Sequence, residues 1–118
     1  MITFNSIGCI TAPKTIGLEN NIILDSQISA SGEWVEWDGV VLAAKYARLN
    51  HPRAWCTLVS DVNQWLQVDL KNDGATLFNI STQGRSATFN QYVMSYTISH
   101  SNDGTNFQDY TENSTPKV

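Results

Sequence analysis

Apolar and polar side chains alternate with a period of two along the regular parts of this chain, and that pattern sets its fold class. From Gln64 to Leu70, Leu66, Val68 and Leu70 take one face while Trp65, Gln67 and Asp69 take the other. From Leu77 to Gln83, Phe78, Ile80 and Thr82 share a face. From Val93 to His100, Met94, Tyr96 and Ile98 share a face and His100 continues that phase. These are the marks of half-buried antiparallel strands.

Turn residues punctuate them. Asn72-Asp73-Gly74 breaks the first pair, Gly84 ends the second strand, and Asn102-Asp103-Gly104 joins the Tyr96 strand to Asn106–Tyr110. Asp-Gly between two strand patterns is a hairpin signal. The sole helical stretch runs from Val40 to Leu49, short enough to be one turn or irregular. Short strands with frequent turns predict a β-sandwich or jelly roll. At 118 residues, 42% of them hydrophobic, the chain fits one domain with its own core. The longest apolar run, Val40–Ala44, is far too short to span a membrane.

The segment Ser29–Asp38 breaks the alternation and reads as a long loop carrying Trp34 and Trp37 among small and acidic residues. Large aromatics on a loop mark a recognition surface, or else fold back as the loop's private core. The sequence leaves both open.

Charge narrows the partners. Seven basic and eleven acidic side chains give a net charge of −4. Lys14, Lys45, Arg48, Arg53, Lys71, Arg85 and Lys117 are scattered and form no basic stripe, which argues against nucleic acid. The same scatter disfavours a purely electrostatic membrane binder. Cys9 and Cys56 show no metal-binding spacing. They are readable as one internal disulfide, as buried thiols, or as half-cystines with partners elsewhere. The sequons Asn79-Ile80-Ser81 and Asn113-Ser114-Thr115 tilt the balance toward an extracellular location. Met1 is followed by neither a basic nor a long apolar region, so no signal peptide is read there; one upstream stays open.

The strings GLENNIILDSQISAS (Gly17–Ser31), ARLN (Ala47–Asn50), AW (Ala54, Trp55), NQWLQVDL (Asn63–Leu70), TQGR (Thr82–Arg85), QYVMSYTISHSNDG (Gln91–Gly104) and NFQDY (Asn106–Tyr110) follow one another in order. Together they resemble the discoidin family, the coagulation factor V/VIII type C domain. The resemblance is collinear from Cys9 onward. It implies a domain over 9–118 after an N-terminal extension over 1–8. It also implies a distorted jelly-roll β-sandwich, called galactose-binding-like, that is all-β, extracellular and non-catalytic. Family members bind phospholipid head groups, sugars, collagen or other proteins through loops called spikes at one end of the sandwich. By position the spikes match Ser31–Asp38, Asn50–Ala54 and Arg85–Gln91. The family continues for several strands past the point matching Val118. The sandwich is therefore expected to lack its last strands and to expose sheet edges. The family's first cysteine pairs with a closing one, which implies that the partner of Cys9 is absent.

The resemblance places ligand-binding residues in the spikes. Trp34 and Trp37 are the first candidates, able to stack on a sugar or enter a bilayer interface. Arg53, Arg85, Asn90 and Gln91 would fix orientation, with Phe89 as an apolar contact. A structural alternative for Arg85 is to anchor its loop on a carboxylate. Arg48 and Asp69 are expected as framework residues in internal ion pairs, Trp55 and Trp65 as packed core, His100 as a satisfied core residue and His51 as loop surface. Nothing nominates a catalytic triad. Glu33 and Glu36 could form a carboxylate pair, but only in a poorly preorganised loop. No cofactor is expected. Asp25, Glu33 and Asp38 are available oxygen ligands for calcium, but without EF-hand-like spacing the ion is unassigned.

The leading functional expectation is an adhesion module that recognises a cell-surface glycan or glycoprotein. The second is a phosphatidylserine-binding module, favoured by two tryptophans in one spike and opposed by Glu33, Glu36 and Asp38 beside them. The third is a protein-interaction module. In each case the chain is read as part of a larger multidomain extracellular protein.

Overall fold

The computed structural model describes residues 2–6, 9–10, 18–19, 21–71, 80–86, 88–112 and 115–116. The strands in chain order are β1 (Ile2–Ser6), β2 (Cys9–Ile10), β3 (Ile28–Ala30), β4 (Trp34–Val35), β5 (Val41–Leu42), β6 (Trp55–Cys56), β7 (Trp65–Val68), β8 (Tyr96–His100), β9 (Gln108–Asp109), β10 (Thr111–Glu112) and β11 (Thr115–Pro116). Two 3-10 turns, Asp25–Gln27 and Ala44–Tyr46, are the helical pieces among the described residues. The chain is all-β, and the Val40–Leu49 stretch contains one short turn, as its sequence predicts.

The main sheet is antiparallel with strand order β3-β7-β1-β8-β9. β2–β6, β4–β5 and β10–β11 form three smaller ladders. Within residues 1–8, read in the sequence as an extension, β1 runs between β7 and β8, with Phe4 opposite both Leu66 and Ile98.

Register explains the core. Ile28 lies opposite Val68 and Ala30 opposite Leu66, so these four side chains share one face. Leu66 and Val68 are fully buried there, while Trp65 and Gln67 on the other face are half-buried. Trp55, Leu18, Ile23, Ala44 and Ala47 cover the inner face, and Leu70, Ile80, Val93, Tyr96 and Ile98 pack around the rim. Trp55 is completely enclosed and donates from Nε1 to the Gly32 carbonyl at 2.9 Å. Trp65, expected to pack like Trp55, is only partly covered.

Arg48 ties this cover to the sheet. Its guanidinium donates to the carbonyls of Leu18 (2.7 Å), Ile23 (2.9 Å) and Lys45 (3.0 Å), and pairs with Asp25 at 2.6 Å. The side chain is only 4% exposed. The framework role holds, and its acidic partner is Asp25. Asp69 pairs instead with Lys71 at the surface, 3.0 Å away. The Lys71 backbone and side chain hold the Asp69 carboxyl below its ordinary range.

Two other expectations change. Met94 precedes β8 and is exposed, and His100 at the far end of β8 is exposed as well. The core is centred on β7, two strands away, so it covers the inner face of β8 only at Tyr96 and Ile98. Ser99 is the buried residue of β8, hydrogen-bonded to Asp109 at 2.6 Å. The hairpin expected at Asp103-Gly104 forms between β8 and β9, but β9 is shorter than Asn106–Tyr110. Of the strand expected over Leu77–Gln83, Ile80, Ser81 and Thr82 are not in a strand; its part before Ile80, the turn Asn72-Asp73-Gly74 and the sequon asparagines Asn79 and Asn113 lie outside the described residues.

The β8–β9 connection is organised by one carboxylate. Asp103 accepts from the Asn106 and Thr105 amides, the Asn106 side chain and the Ser101 hydroxyl. These bonds, led by the two backbone amides, hold its carboxyl well below the usual range. A depressed native value means that this contribution is present above the unfolded value of about 3.9 and is lost only as pH falls through the native one. In NMR titrations, the Thr105 and Asn106 amide resonances should therefore stay unchanged down to about pH 3.9 and move together below it. Movement centred at the ordinary aspartate value would refute the assignment.

The Arg48 hub generates a second expectation. Arg48→Lys keeps one charge but cannot reach four acceptors from a single ammonium. Urea unfolding should show a loss of about 3 kcal/mol, the scale for stranding buried acceptors and breaking a buried pair. A loss under about 0.5 kcal/mol, typical of a surface substitution, would show that the hub is dispensable.

Candidate functional site

The first spike is a hairpin. β4 and β5 pair with Trp34 opposite Leu42 and Val35 opposite Val41. This corrects the long-loop reading of Ser29–Asp38. The short ladder escapes the alternation test because both of its faces carry apolar residues. The tip closes through Glu36 N–H to the Val40 carbonyl (2.8 Å) and Gly39 N–H to the Glu36 carbonyl (2.9 Å). Gly39 sits at φ +84°, the left-handed position that a three-residue hairpin loop of this kind requires.

The aromatic side chains of this hairpin point outward. Trp37 at the tip is 98% exposed and Trp34 is 48% exposed. Val35 and Val41, on the opposite face of the ladder, are also exposed. The base of the hairpin is fixed by partly buried bonds. Gly32 accepts from Trp55, Ser31 donates to Gln64 at 2.9 Å, and Glu33 accepts from the Ala44 amide at 2.7 Å.

The third spike is closed at its neck, where the Arg85 amide donates to the Gln91 carbonyl at 2.9 Å. Arg85 then crosses to the first spike, pairing with Glu36 at 2.5 Å. It also donates to Gln91 Oε1 at 2.9 Å and lies over the Phe89 ring, 3.7 Å from the centroid. The Arg85 side chain is 10% exposed and that of Glu36 23%. The loop-anchoring role is the one the structure favours for Arg85: it joins two spikes that are 49 residues apart in sequence. Phe89, Asn90 and Gln91 remain at the surface.

The second spike docks just before Arg85, through Asn50 N–H to Gln83 Oε1 at 3.0 Å. Arg53 is exposed and donates to the Tyr46 hydroxyl at 3.1 Å. His51 stacks on Tyr46 at 5.0 Å and accepts from the Arg53 amide. Lys45 approaches the same ring at 5.3 Å. The first and third spikes are thus bonded to each other and the second to Gln83 just before the third, and the candidate ligand residues lie in these connected spikes. Tyr46 is a member that sequence reasoning did not place, and the pairing of Glu36 with Arg85 is a contact 49 residues apart, for which sequence spacing carries no signal.

The carboxylates are spoken for. Glu33 caps the 3-10 turn at Ala44, Glu36 pairs with Arg85, Asp38 accepts from Val40 N–H at 3.0 Å, and Asp25 pairs with Arg48. The structure does not bring Asp25, Glu33 and Asp38 together. Among the described residues no group of three or more potential metal ligands converges. Glu33 and Glu36 do not form a facing acid–base pair. What the arrangement offers is a braced, protruding apolar hairpin.

A Glu36–Arg85 double-mutant cycle should measure that bracing. Glu36→Gln, Arg85→Gln and the double variant should give a coupling of about 1–2 kcal/mol in thermal or urea unfolding. Additive effects would leave the two spikes uncoupled.

The F5/8 type C domain model matches residues 27–118. Rat (Rattus norvegicus) lactadherin is 33% identical over 124 aligned positions, covering 99% of this chain and 29% of that protein. Discoidin, CUB and LCCL domain-containing protein 2 of the same species is 33% identical, covering 95% of this chain and 15% of the relative. Bovine (Bos taurus) coagulation factor V is 38% identical over 111 positions, covering 91% of this chain and 5% of the relative. The chain thus spans less than a third of the length of these curated relatives. No solved structure matches it significantly.

Proposed function

Because the chain belongs to the F5/8 type C, or discoidin, family of extracellular, non-catalytic binding modules, we propose that it docks on phospholipid membrane surfaces through its first spike. The observation that carries this reading is the β4–β5 hairpin, which holds Trp37 and Trp34 in water on a rigid base.

Magnitudes favour lipid over a charge-read ligand. Burying about 100 Å² of an indole in an interface gains roughly 2.5 kcal/mol. Each charge near an anionic leaflet is worth about 1 kcal/mol. The spikes carry Glu33, Glu36 and Asp38 against Arg53 and Arg85, so the electrostatic balance is slightly unfavourable. Glu36 and Arg85 already neutralise each other, which weakens the objection that three carboxylates repel a membrane. Apolar insertion would be the main driving force.

A second reading keeps the glycan or glycoprotein of an adhesion module as the ligand. The full exposure of the Trp37 ring supports it, since an open indole face can stack on a sugar. Against it, Arg85 and Gln91, the groups expected to orient a sugar, are bonded to each other. In either case the site residues proposed are Trp34, Trp37, Arg53, Phe89 and Asn90, with Arg85 and Gln91 in a positioning role. The rest of the parent protein would set the biological partner.

We also propose that Cys9 and Cys56 form a disulfide, in keeping with an extracellular location. The two residues face each other in the β2–β6 ladder, and Cys56 carries no free thiol. Opposed residues of an antiparallel pair lie about 4.5–5.5 Å apart at Cα, within disulfide reach. On this reading the partner of Cys9 is internal, unlike the family pairing with a closing cysteine.

Vesicle co-sedimentation tests the lipid reading. Binding to phosphatidylcholine/phosphatidylserine vesicles should fall at least tenfold in Trp34→Ala/Trp37→Ala and should persist when salt is raised, because insertion is not screened. Loss of binding in salt with no effect of the tryptophan substitutions would overturn it. Binding on a glycan array without vesicle binding would select the second reading.

A further inference from the structure

The second spike is closed by one histidine nitrogen. His51 Nδ1 lies 3.0 Å from the Arg53 amide nitrogen and 3.2 Å from the Arg53 carbonyl oxygen. The backbone N–H is a fixed donor, so Nδ1 accepts from it, and the imidazole that can do so is the neutral form with its proton on Nε2. The bond joins a side chain to the backbone two residues on, the pattern that closes a turn. The ring also stacks on Tyr46 at 5.0 Å. The Arg53 guanidinium lies over the same ring, 5.4 Å from its centroid, and donates to its hydroxyl at 3.1 Å.

Protonation reverses these contacts. An imidazolium carries a proton on both nitrogens, so Nδ1 stops accepting from the Arg53 amide and becomes a donor toward the carbonyl of the same residue. The new charge also arrives in cationic company. Lys45 and Tyr46 face it from the 3-10 turn, with Lys45 5.3 Å from the shared ring, and Arg53 faces it from the spike itself. Arg48 meets His51 only through its backbone carbonyl, its guanidinium being paired with Asp25. The neighbouring carboxylate, Glu19, accepts from Asn50 at 2.7 Å. Like charges around one ring push apart, and Lys45 and Arg53 are exposed and free to swing into water.

We propose that His51 is a pH switch for the second spike. Neutral, it ties the spike closed on Tyr46. Charged, it gives up its cap on Arg53, drives the guanidinium off the ring and leaves both cations facing outward. Histidine is the side chain whose charge ordinarily changes between about pH 5 and 8. A functional consequence follows on the lipid reading above, and rests on it. Glu33, Glu36 and Asp38 in the spikes then face His51 as well as Arg53 and Arg85, so acidification strengthens attachment to an anionic leaflet.

The test uses the whole chain and His51→Asn, whose side-chain oxygen accepts the same bond across two residues without titrating. In an amide NMR titration without lipid, from about pH 7.5 to 5.5, the Arg53 amide and the His51 ring of the parent should move together, and the Arg53 amide of His51→Asn should stay fixed. A fixed Arg53 amide beside a titrating His51 ring in the parent overturns the switch. Co-sedimentation with vesicles of phosphatidylcholine and phosphatidylserine in equal parts should rise about fivefold for the parent over the same interval, an increment that added salt removes, and stay level for His51→Asn. An equal rise in both proteins, or none in the parent, overturns the membrane consequence. No vesicle binding by the parent at either pH overturns the lipid reading, and the amide titration still decides the switch. If His51→Asn unfolds, the parent's titration decides by itself.

Discussion

The arginine at position 48 is the constraint on which the architecture leans. A guanidinium buried among apolar residues must find acceptors, because an unpaired buried charge costs several kcal/mol. Arg48 finds Leu18, Ile23, Lys45 and Asp25, and in doing so fixes the segment that covers the sheet. That cover buries Trp55, and Trp55 in turn holds Gly32 at the root of the first spike. The position of an exposed hairpin thus follows, through two buried hydrogen-bonding side chains, from a charge that cannot be left unsatisfied.

A second arginine does for the spikes what Arg48 does for the core. Arg85 spans from the third spike to Glu36 of the first and stacks on Phe89. Its planar fork suits this better than an ammonium would, since it engages carboxylate, amide and ring at once. The consequence is electrostatic as well as mechanical. Glu36, beside the tip, is neutralised within the domain, and the exposed apolar surface of the hairpin comprises Trp34, Val35, Trp37 and Val41. On the lipid reading proposed above, a site built this way would favour apolar interfaces, with charge adjusting the balance.

The parts that sequence conveyed are those governed by local rules. Period-two alternation placed β7 and the hydrophobic phase of Leu66 and Val68, because each side of a strand faces a different medium. Asp-Gly marked the β8–β9 turn, and the family strings marked the sandwich and, by position, the spike that carries the two tryptophans. The errors arose where burial depends on what lies across the sheet. His100 keeps the apolar phase of Tyr96 and Ile98 but lies past the covered area. Ser31–Asp38 lacks alternation because both faces of the β4–β5 hairpin carry apolar residues.

The sequence by itself determined that this is an all-β discoidin domain with tryptophans in its first spike, because alternation, turn chemistry and motif order are properties of neighbours along the chain. Only the tertiary structure decided that those indoles face water, that Arg85 serves Glu36, that β1 runs through the centre of the sheet and that Cys56 lies opposite Cys9. Each of these is a pairing between residues far apart in sequence. Such pairings are settled by packing geometry and by the cost of leaving polar groups unmatched, and neither is written in any local stretch of the chain.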